Sequence, residues 1–443
     1  MCLWHNIGVR ASLAFVNRLR ELREFDAAAA AGGLLVVYGR RRVGKTRVLR
    51  HWLASRQGWY SQAIEASAEI QIAQVFSDIQ HHLDTALTPK TWGELFEVLR
   101  LQPRPWRLCL DEFPYLVAQD ASLPSRLQRF LDHDMPKGCL LVLSGSSTRM
   151  MHDTFLNRAA PLYGRARKVL SVAPMDYHAF CAACRRSPGN PDAFEQFSLV
   201  GGVPKYWESV EPRHSTVDLA DALYFDDAAY MEQEPQRLLR DEGLSGITPL
   251  AVLETIGRGA ERPSEMAARL GTVQTNLSRV LQQLLDASIL ARDLPYGEST
   301  RTTKKVLYRI ADPTVRCWFR LYSPHRSLWR TYTAVKKRRL IHEHASTVFE
   351  DVCRAQFPGA GRYWEGDLEI DLVAPDPERE GGVVAAEVEW RRLTAGQRTS
   401  LLRDLEHKWA RSALARRHAA VRFAVLDAGR LLEATEPTPR KPH

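Results

Sequence analysis

The 443-residue chain has no apolar run approaching the ~18 residues that a bilayer-spanning helix requires. No membrane span is therefore expected. The opening MCLWHNIGVR lacks the apolar core of a secretory signal and reads as a poorly ordered leader. Cysteine is sparse and unpaired in pattern: seven residues, at 2, 109, 139, 181, 184, 317 and 353. Cys109 and Cys139 fall inside apolar strand-like runs. This excludes a disulfide-built secreted domain and points to a reduced, cytoplasmic chain. The single CxxC, Cys181 and Cys184, has no second pair and no histidine pair near it. Zinc needs more ligands than that, so these are read as thiols on a helix surface. There is no internal repeat, which excludes a solenoid. Hydrophobic residues (45%) and charged residues (26%) are in the balance of a packed protein, so disordered and fibrous classes are excluded as well.

Acid is in deficit. Sixty-one Lys and Arg stand against 52 Asp and Glu, a net charge of +9. Such an excess favours a polyanionic partner, nucleic acid before an acidic membrane surface. The excess is local: residues 240–345 hold 18 Lys and Arg and 10 Asp and Glu, which is +8 of the total.

The first third alternates strand and helix signals. Leu34 to Tyr38, Trp59 to Ile64, Leu108 to Leu110 and Cys139 to Leu143 read as strands. Val43 to Ala54, 69–84, 91–101 and 122–133 read as helices. Buried apolar strands separated by helices predict an α/β fold with a parallel sheet covered on both faces. After about residue 172 the pattern is helical. Residues 248–310 read as three helices and a strand pair, and 345–427 as helix, strand, strand, helix, strand. The tail from Glu433 to His443 carries three prolines and is expected to be disordered.

Chemistry is concentrated after the first strand. The octet Gly39, Arg40, Arg41, Arg42, Val43, Gly44, Lys45, Thr46 fits GxxxxGK[ST] and lies between a strand and a helix that continues with Arg47. Glycines let backbone N–H groups wrap phosphates at a helix N-terminus. Lys45 would reach the β- and γ-phosphates of ATP, and Thr46 would ligate Mg²⁺. The run Arg107-Leu-Cys-Leu-Asp111-Glu112 fits a Walker B strand. Asp111 would hold Mg²⁺ through water and Glu112 would activate the attacking water. At the end of the next strand Ser146, with Ser144 second, is placed to touch the γ-phosphate and that water. Arg165, ahead of Arg149 and Arg158, is the candidate for a charge-stabilising arginine supplied by a neighbouring subunit, which implies a homo-oligomer.

Phe15-Val-Asn-Arg18, GRRRVGKT, LCLDEFPYL, LSGSS, PLYGR (161–165) and GGVPKY (201–206), in this order, resemble the archaeal-type P-loop ATPases, a clade related to the STAND and AAA+ ATPases. The later segment resembles the winged helix and PD-(D/E)xK nuclease-like domain that commonly follow in that family. The likeness implies an extra strand between the P-loop strand and the Walker B strand. It also implies a GxP element at Gly202-Val-Pro204 with Pro204 near the base, Lys205 as a phosphate sensor, and Phe15 to Leu22 bordering the adenine. The organisation it suggests is a P-loop core over 12–172, a helical subdomain over 173–244, a winged helix and basic linker over 245–340, and a nuclease-like domain over 341–430.

In the basic segment, Thr272 to Ala287 is the third helix, with Leu277, Val280, Leu281, Leu284 and Leu285 on its apolar face. Thr272, Gln274, Thr275, Asn276 and Arg279 would then meet the major groove of DNA. Lys336 to Arg339, preceded by Tyr322, Trp329 and Tyr332, suits backbone contact and base stacking. Near the C-terminus Glu350, Asp371 and Glu387 form a possible second metal site. The nuclease-like pattern wants a lysine two residues after the second acid, and this chain has Glu389. Period-two spacing offers Arg391 as the replacement. The expected function is a Mg-dependent ATPase coupling ATP hydrolysis to DNA binding. The alternatives are a STAND-type nucleotide switch controlling protein assembly without DNA, and an ATP-regulated DNA nuclease in defence.

Overall fold

The computed structural model describes residues 13–429 apart from 57, 212, 228 and 302. The expected leader, Cys2 and the proline-bearing tail lie outside the described residues. Five strands, β1 (Gly33–Tyr38), β2 (Trp59–Gln62), β3 (Arg107–Asp111), β4 (Leu140–Gly145) and β5 (Ala166–Ser171), form one sheet in the order β2-β3-β4-β1-β5. Every neighbouring pair is parallel. The central strands are apolar along their length because side chains on both faces are covered: β4 is buried at all its positions. β4 lies between β1 and β3, the extra strand that the family likeness implied. β5 has no counterpart among the strands expected from the sequence. It is an edge strand, ARKVLS, in which Leu170 alone is buried, so its sequence carries no apolar run.

The two faces of this sheet carry separate apolar clusters. One is built on Phe25, Val48, Leu49 and Trp52, the other on Phe76, Trp92, Leu110, Phe113 and Phe130. Burying each such side chain contributes about 1.5–3 kcal/mol.

Past β5 the helices Tyr177–Cys184, Pro191–Val200 and Glu234–Asp241 lead to three more, Ile247–Gly257, Pro263–Arg269 and Gln274–Asp286. An antiparallel hairpin follows, β6 (Leu290–Asp293) with β7 (Leu307–Ile310). The long helix Ala334–Ala355 then opens a mixed sheet of β8 (Gly361–Glu365), β9 (Leu368–Pro375), β10 (Val383–Glu389) and β11 (Val421–Asp427), in the order β11-β10-β9-β8. The helix Ala395–Arg411 crosses from β10 to the parallel β11. This region has one strand more than the sequence suggested, because β8 (GRYWE) is short and breaks register between Gly361 and Tyr363.

Buried side chains from Tyr177 to Ala428 form one continuous cluster, so the helical region, the three-helix segment and the C-terminal sheet share a core. Cys181 belongs to it and is 3% exposed. The Cys181 thiol is therefore not on a helix surface, and Cys184 is partly buried: their helix packs its apolar face inward, and burial pushes the Cys181 thiol up to about 11 and that of Cys184 up to about 12. The aromatics ahead of the basic run are likewise unavailable for stacking on bases. Trp329 is buried against Phe225 with ring centroids 4.0 Å apart, and Tyr322 is buried beside it. Lys336 lies 3.5 Å from the Tyr332 ring centroid, Lys337 binds Asp221 and Arg339 pairs with Glu343, whereas Arg338 is exposed.

Candidate nucleotide site and C-terminal acids

The loop from Gly39 to Gly44 joins β1 to the helix Lys45–Ala54. At Gly39 (φ 157°) a Cβ would stand 2.4 Å from the Val172 carbonyl oxygen, and Gly44 takes a left-handed φ of 100°. Both positions demand glycine, and Gly44 leads directly into the N-terminus of the helix Lys45–Ala54, the kind of helix end that binds anions. Lys45 is buried, and its Nζ donates to the carbonyls of Gly39 (2.8 Å) and Arg40 (3.2 Å). Burial pulls its ammonium below the usual lysine range, against the attraction of Glu112, Asp111 and Glu242.

Thr46 and Asp111 meet directly: Thr46 Oγ1 donates to Asp111 Oδ2 at 2.6 Å. Tyr60 donates its hydroxyl to the same oxygen at 3.0 Å, and the Glu112 backbone N–H donates to Oδ1 at 3.1 Å. Tyr60, from β2, carries no motif that would mark it in the sequence. Glu112 begins the helix Phe113–Gln119 from a left-handed conformation, φ 57°, a strain of about 1–3 kcal/mol for a non-glycine residue. Its Oε2 accepts from the Ser146 N–H (3.1 Å) and hydroxyl (2.7 Å). Ser146 thus reaches the glutamate, whereas the Ser144 hydroxyl is buried with no hydrogen-bond partner among the described residues.

The side chains of the three loop arginines leave the loop. Arg40 pairs with Asp312 at 2.5 Å, Arg41 with Asp241 at 2.7 Å, and Arg42 with Glu234. Tyr206 donates to Glu234 at 2.6 Å and receives Arg40 NH2 at 3.4 Å. These acids lie about 200 residues or more along the chain from the loop, and no local pattern marks them. Arg47 donates to the Leu13 carbonyl. Phe15, Val16, Gly44, Arg47, Pro204 and Trp207 line one cleft beside the loop. Lys205 is held by Glu208 at 2.5 Å. Arg165 is bound within its own chain, with Nε and NH2 on Asp132 at 3.0–3.1 Å and NH1 on the carbonyls of Pro161 (2.8 Å) and Tyr163 (3.2 Å).

The C-terminal acids are electrostatically coupled, but among the described residues no group of three or more His, Cys, Asp or Glu side chains is arranged to hold a metal ion. Burial, with the Asp371 charge nearby, pushes Glu350 up to about 7 and Glu387 up to about 7. Asp371 accepts from the Val388 N–H at 2.8 Å, and Glu350 lies 3.5 Å from Arg354. The cation beside Glu387 is Lys408 of the crossover helix, whose Nζ donates to it at 2.8 Å. Arg391 pairs instead with Glu389 at 3.1 Å. The strand ends at Glu389, so the period-two argument does not reach residue 391.

Comparison with known proteins agrees with this geometry. Residues 15–210 match the family described as an ATPase domain predominantly from Archaea. Residues 318–401 match a family described as Archaea bacterial proteins of unknown function. An uncharacterized protein of Methanocaldococcus jannaschii is 25% identical over 412 residues, 89% of this chain and 91% of its own. Among solved structures, a Walker-type ATPase of Pyrococcus abyssi shares the fold with a TM-score of 0.53 at 20% identity, covering 69% of this chain and 96% of its own. Family match and loop geometry make this chain an ATP-hydrolysing enzyme of the P-loop type. Among the described residues no helix is long and apolar enough to cross a membrane.

Proposed function

We propose that the chain is a Mg-dependent ATPase that couples ATP turnover to DNA binding by a winged-helix segment (245–340). In this reading the nuclease-like C-terminal domain serves binding and assembly rather than cleavage. Lys45 holds the β- and γ-phosphates, and the backbone amides from Gly39 to Thr46 wrap them. The hydroxyl of Thr46 and the carboxylate of Asp111 are the hard oxygen donors that Mg²⁺ takes, and Tyr60 holds Asp111 in place. The ion would neutralise charge on the transferring phosphoryl group. Glu112, oriented by Ser146, activates the attacking water.

The observation that carries the coupling is the ion pair between Arg40 and Asp312. Arg40 belongs to the phosphate loop, and Asp312 follows β7 and caps the helix Pro313–Cys317 through the Val315 N–H. A change at the loop is thereby imposed on the hairpin of the basic segment. Gln274, Thr275, Asn276 and Arg279 are exposed at the start of the third helix, a set of side chains suited to bases and phosphates.

The test is binding to duplex DNA at rising salt, with and without a non-hydrolysable ATP analogue. Affinity that falls steeply with salt and shifts with nucleotide supports the reading. No binding to any DNA at low salt overturns it and favours the switch that controls protein assembly. Plasmid cut in the presence of Mn²⁺ and ATP, with loss of cutting in Asp371→Ala, would show the nuclease alternative to be right.

A further inference from the structure

Two adjacent acids at the end of the helix Glu234–Asp241 reach the nucleotide side from far along the chain, one to the phosphate loop and one to the segment after β4. Arg41 NH1 donates to both carboxylate oxygens of Asp241, at 2.9 and 2.7 Å. Glu242 accepts from the backbone N–H groups of Thr148 (3.2 Å) and Arg149 (3.3 Å) and from the Ser147 hydroxyl (3.4 Å). Those donors follow directly on Ser146, the residue that holds Glu112. One acid therefore covers a cation of the loop, and the other anchors the same helix end to the start of the helix Thr148–Phe155, just past Ser146.

The three loop arginines are not equivalent. Arg40 and Arg42 are in pairs whose acids are 7% exposed, commitments that would be costly to break. The Arg41 side chain is 50% exposed and Asp241 27%. Solvent screens this pair, so a competing anion can open it. Arg41 is also the second residue after Gly39 and the fourth before Lys45, and its charge acts on both Lys45 and Glu112. Arg41 thus belongs to the phosphate loop itself and is close enough to Lys45 and Glu112 for their charges to be felt, although its guanidinium now lies on Asp241. Its planar fork can take two oxygens of one phosphoryl group in parallel, a geometry that the Lys45 ammonium does not offer.

We propose that Arg41 is a γ-phosphate ligand held in reserve by Asp241, so that the site distinguishes nucleoside triphosphate from diphosphate through this pair. The inference rests on the reading of the loop as the ATP site. The γ-phosphoryl group takes the guanidinium from Asp241, which is left without its cation at the end of a helix that Glu242 still anchors. A diphosphate does not reach Arg41 and leaves the pair closed.

The experiment measures ATP and ADP affinity with Mg²⁺, and turnover, for the full chain and for Arg41→Ala, Arg41→Lys, Asp241→Asn, the double variant Arg41→Ala with Asp241→Asn, and Lys45→Ala. Arg41→Ala should weaken ATP about tenfold, leave ADP within about twofold, and lower kcat about 10- to 1,000-fold, at or below the worth of a transition-state arginine. Arg41→Lys should restore part of both losses. Asp241→Asn should tighten ATP several-fold, roughly the release of a screened pair, without tightening ADP. That gain should vanish in the double variant. An unchanged ATP-to-ADP ratio and an unchanged kcat in Arg41→Ala overturn the inference, as does an Asp241→Asn effect that persists without Arg41. Lys45→Ala separates the two levels. If it still binds both nucleotides normally, the loop reading fails. If it binds neither while Arg41→Ala is silent, the loop reading stands and the role of Arg41 alone fails.

Discussion

One carboxylate oxygen of Glu112 accepts both hydrogen bonds that Ser146 can give, from its N–H at 3.1 Å and its hydroxyl at 2.7 Å. The adjacent ends of β3 and β4 thus fix the carboxylate that would activate water. Glu112→Gln keeps an oxygen that can accept both bonds but removes the base. Nucleotide affinity should stay within about twofold while turnover falls roughly 10²-fold or more, the usual worth of a general base. Ser146→Ala removes the hydroxyl bond only and should cost much less. Steady-state ATPase assays and equilibrium binding check both. A loss in Ser146→Ala as deep as that in Glu112→Gln would mean that Ser146 acts on the phosphate itself.

Arg40 and Asp312 should be coupled in stability as well as in signalling. Their side chains are 14% and 7% exposed, so removing one charge strands the other in the interior. Asp312→Asn retains an oxygen for the Val315 N–H, so the helix cap survives while the ion pair is lost. The expected cost is about 3–5 kcal/mol, and replacing both partners, Arg40→Met with Asp312→Asn, should recover most of it. Urea unfolding of the four proteins of this double-mutant cycle gives the coupling energy.

Stability should also depend on His344. This ring is fully buried between the helices Ala334–Ala355 and Pro191–Val200, with Nε2 2.9 Å from the Ser198 carbonyl. Burial, aided by the charges of Arg316 and Arg320, pushes it down to about 3. The folded chain thus binds this proton later than the unfolded chain, whose histidine titrates near ~6.5. The contribution is complete above ~6.5 and is lost as pH falls towards about 3. His344→Gln keeps a donor for Ser198 and should lose less stability between pH ~7 and ~4 than the parent chain. Urea midpoints at several pH values test this. A parent-minus-variant difference that is constant with pH would contradict it.

What could be read from the sequence was what is local. Gly39, Asp111, Glu112 and Ser146 sit at strand ends and Lys45 and Thr46 at the start of the next helix, where a few neighbouring residues define both conformation and chemistry, and hydrogen bonds join Lys45 to Gly39, Thr46 to Asp111 and Ser146 to Glu112. β5 was invisible because an edge strand needs no apolar run. Tyr60, Asp241, Glu242 and Asp312 were invisible because each meets the site from a distant part of the chain. The same limit explains Lys408: a cation supplied by a helix leaves no mark on the strand it serves, whereas Arg391 had the expected spacing but lies past the strand end.

The charge excess of the 240–345 segment also shrinks once its partners are seen. Arg309 and Arg316 are paired with Asp351, Lys337 with Asp221, and Arg339 with Glu343. Arg279 on the third helix and Arg301 and Lys304 in the hairpin loop are exposed, with no ion-pair partner among the described residues. That loop is anchored at its base, where the Tyr296 N–H donates to the Arg362 carbonyl at 2.7 Å, so its cations are presented from a fixed stem. If this is the DNA face, counterion release assigns each cation a measurable share. Replacing one by alanine should reduce the slope of log affinity against log salt by about 0.9 for each phosphate that is no longer neutralised. Arg330→Ala, which removes a cation already paired with Asp227, should leave the slope unchanged. Fluorescence anisotropy on a short duplex over a salt series measures all four variants. Equal slopes for Arg279→Ala and Arg330→Ala would remove the third helix from the interface, because a side chain that displaces no counterion touches no phosphate.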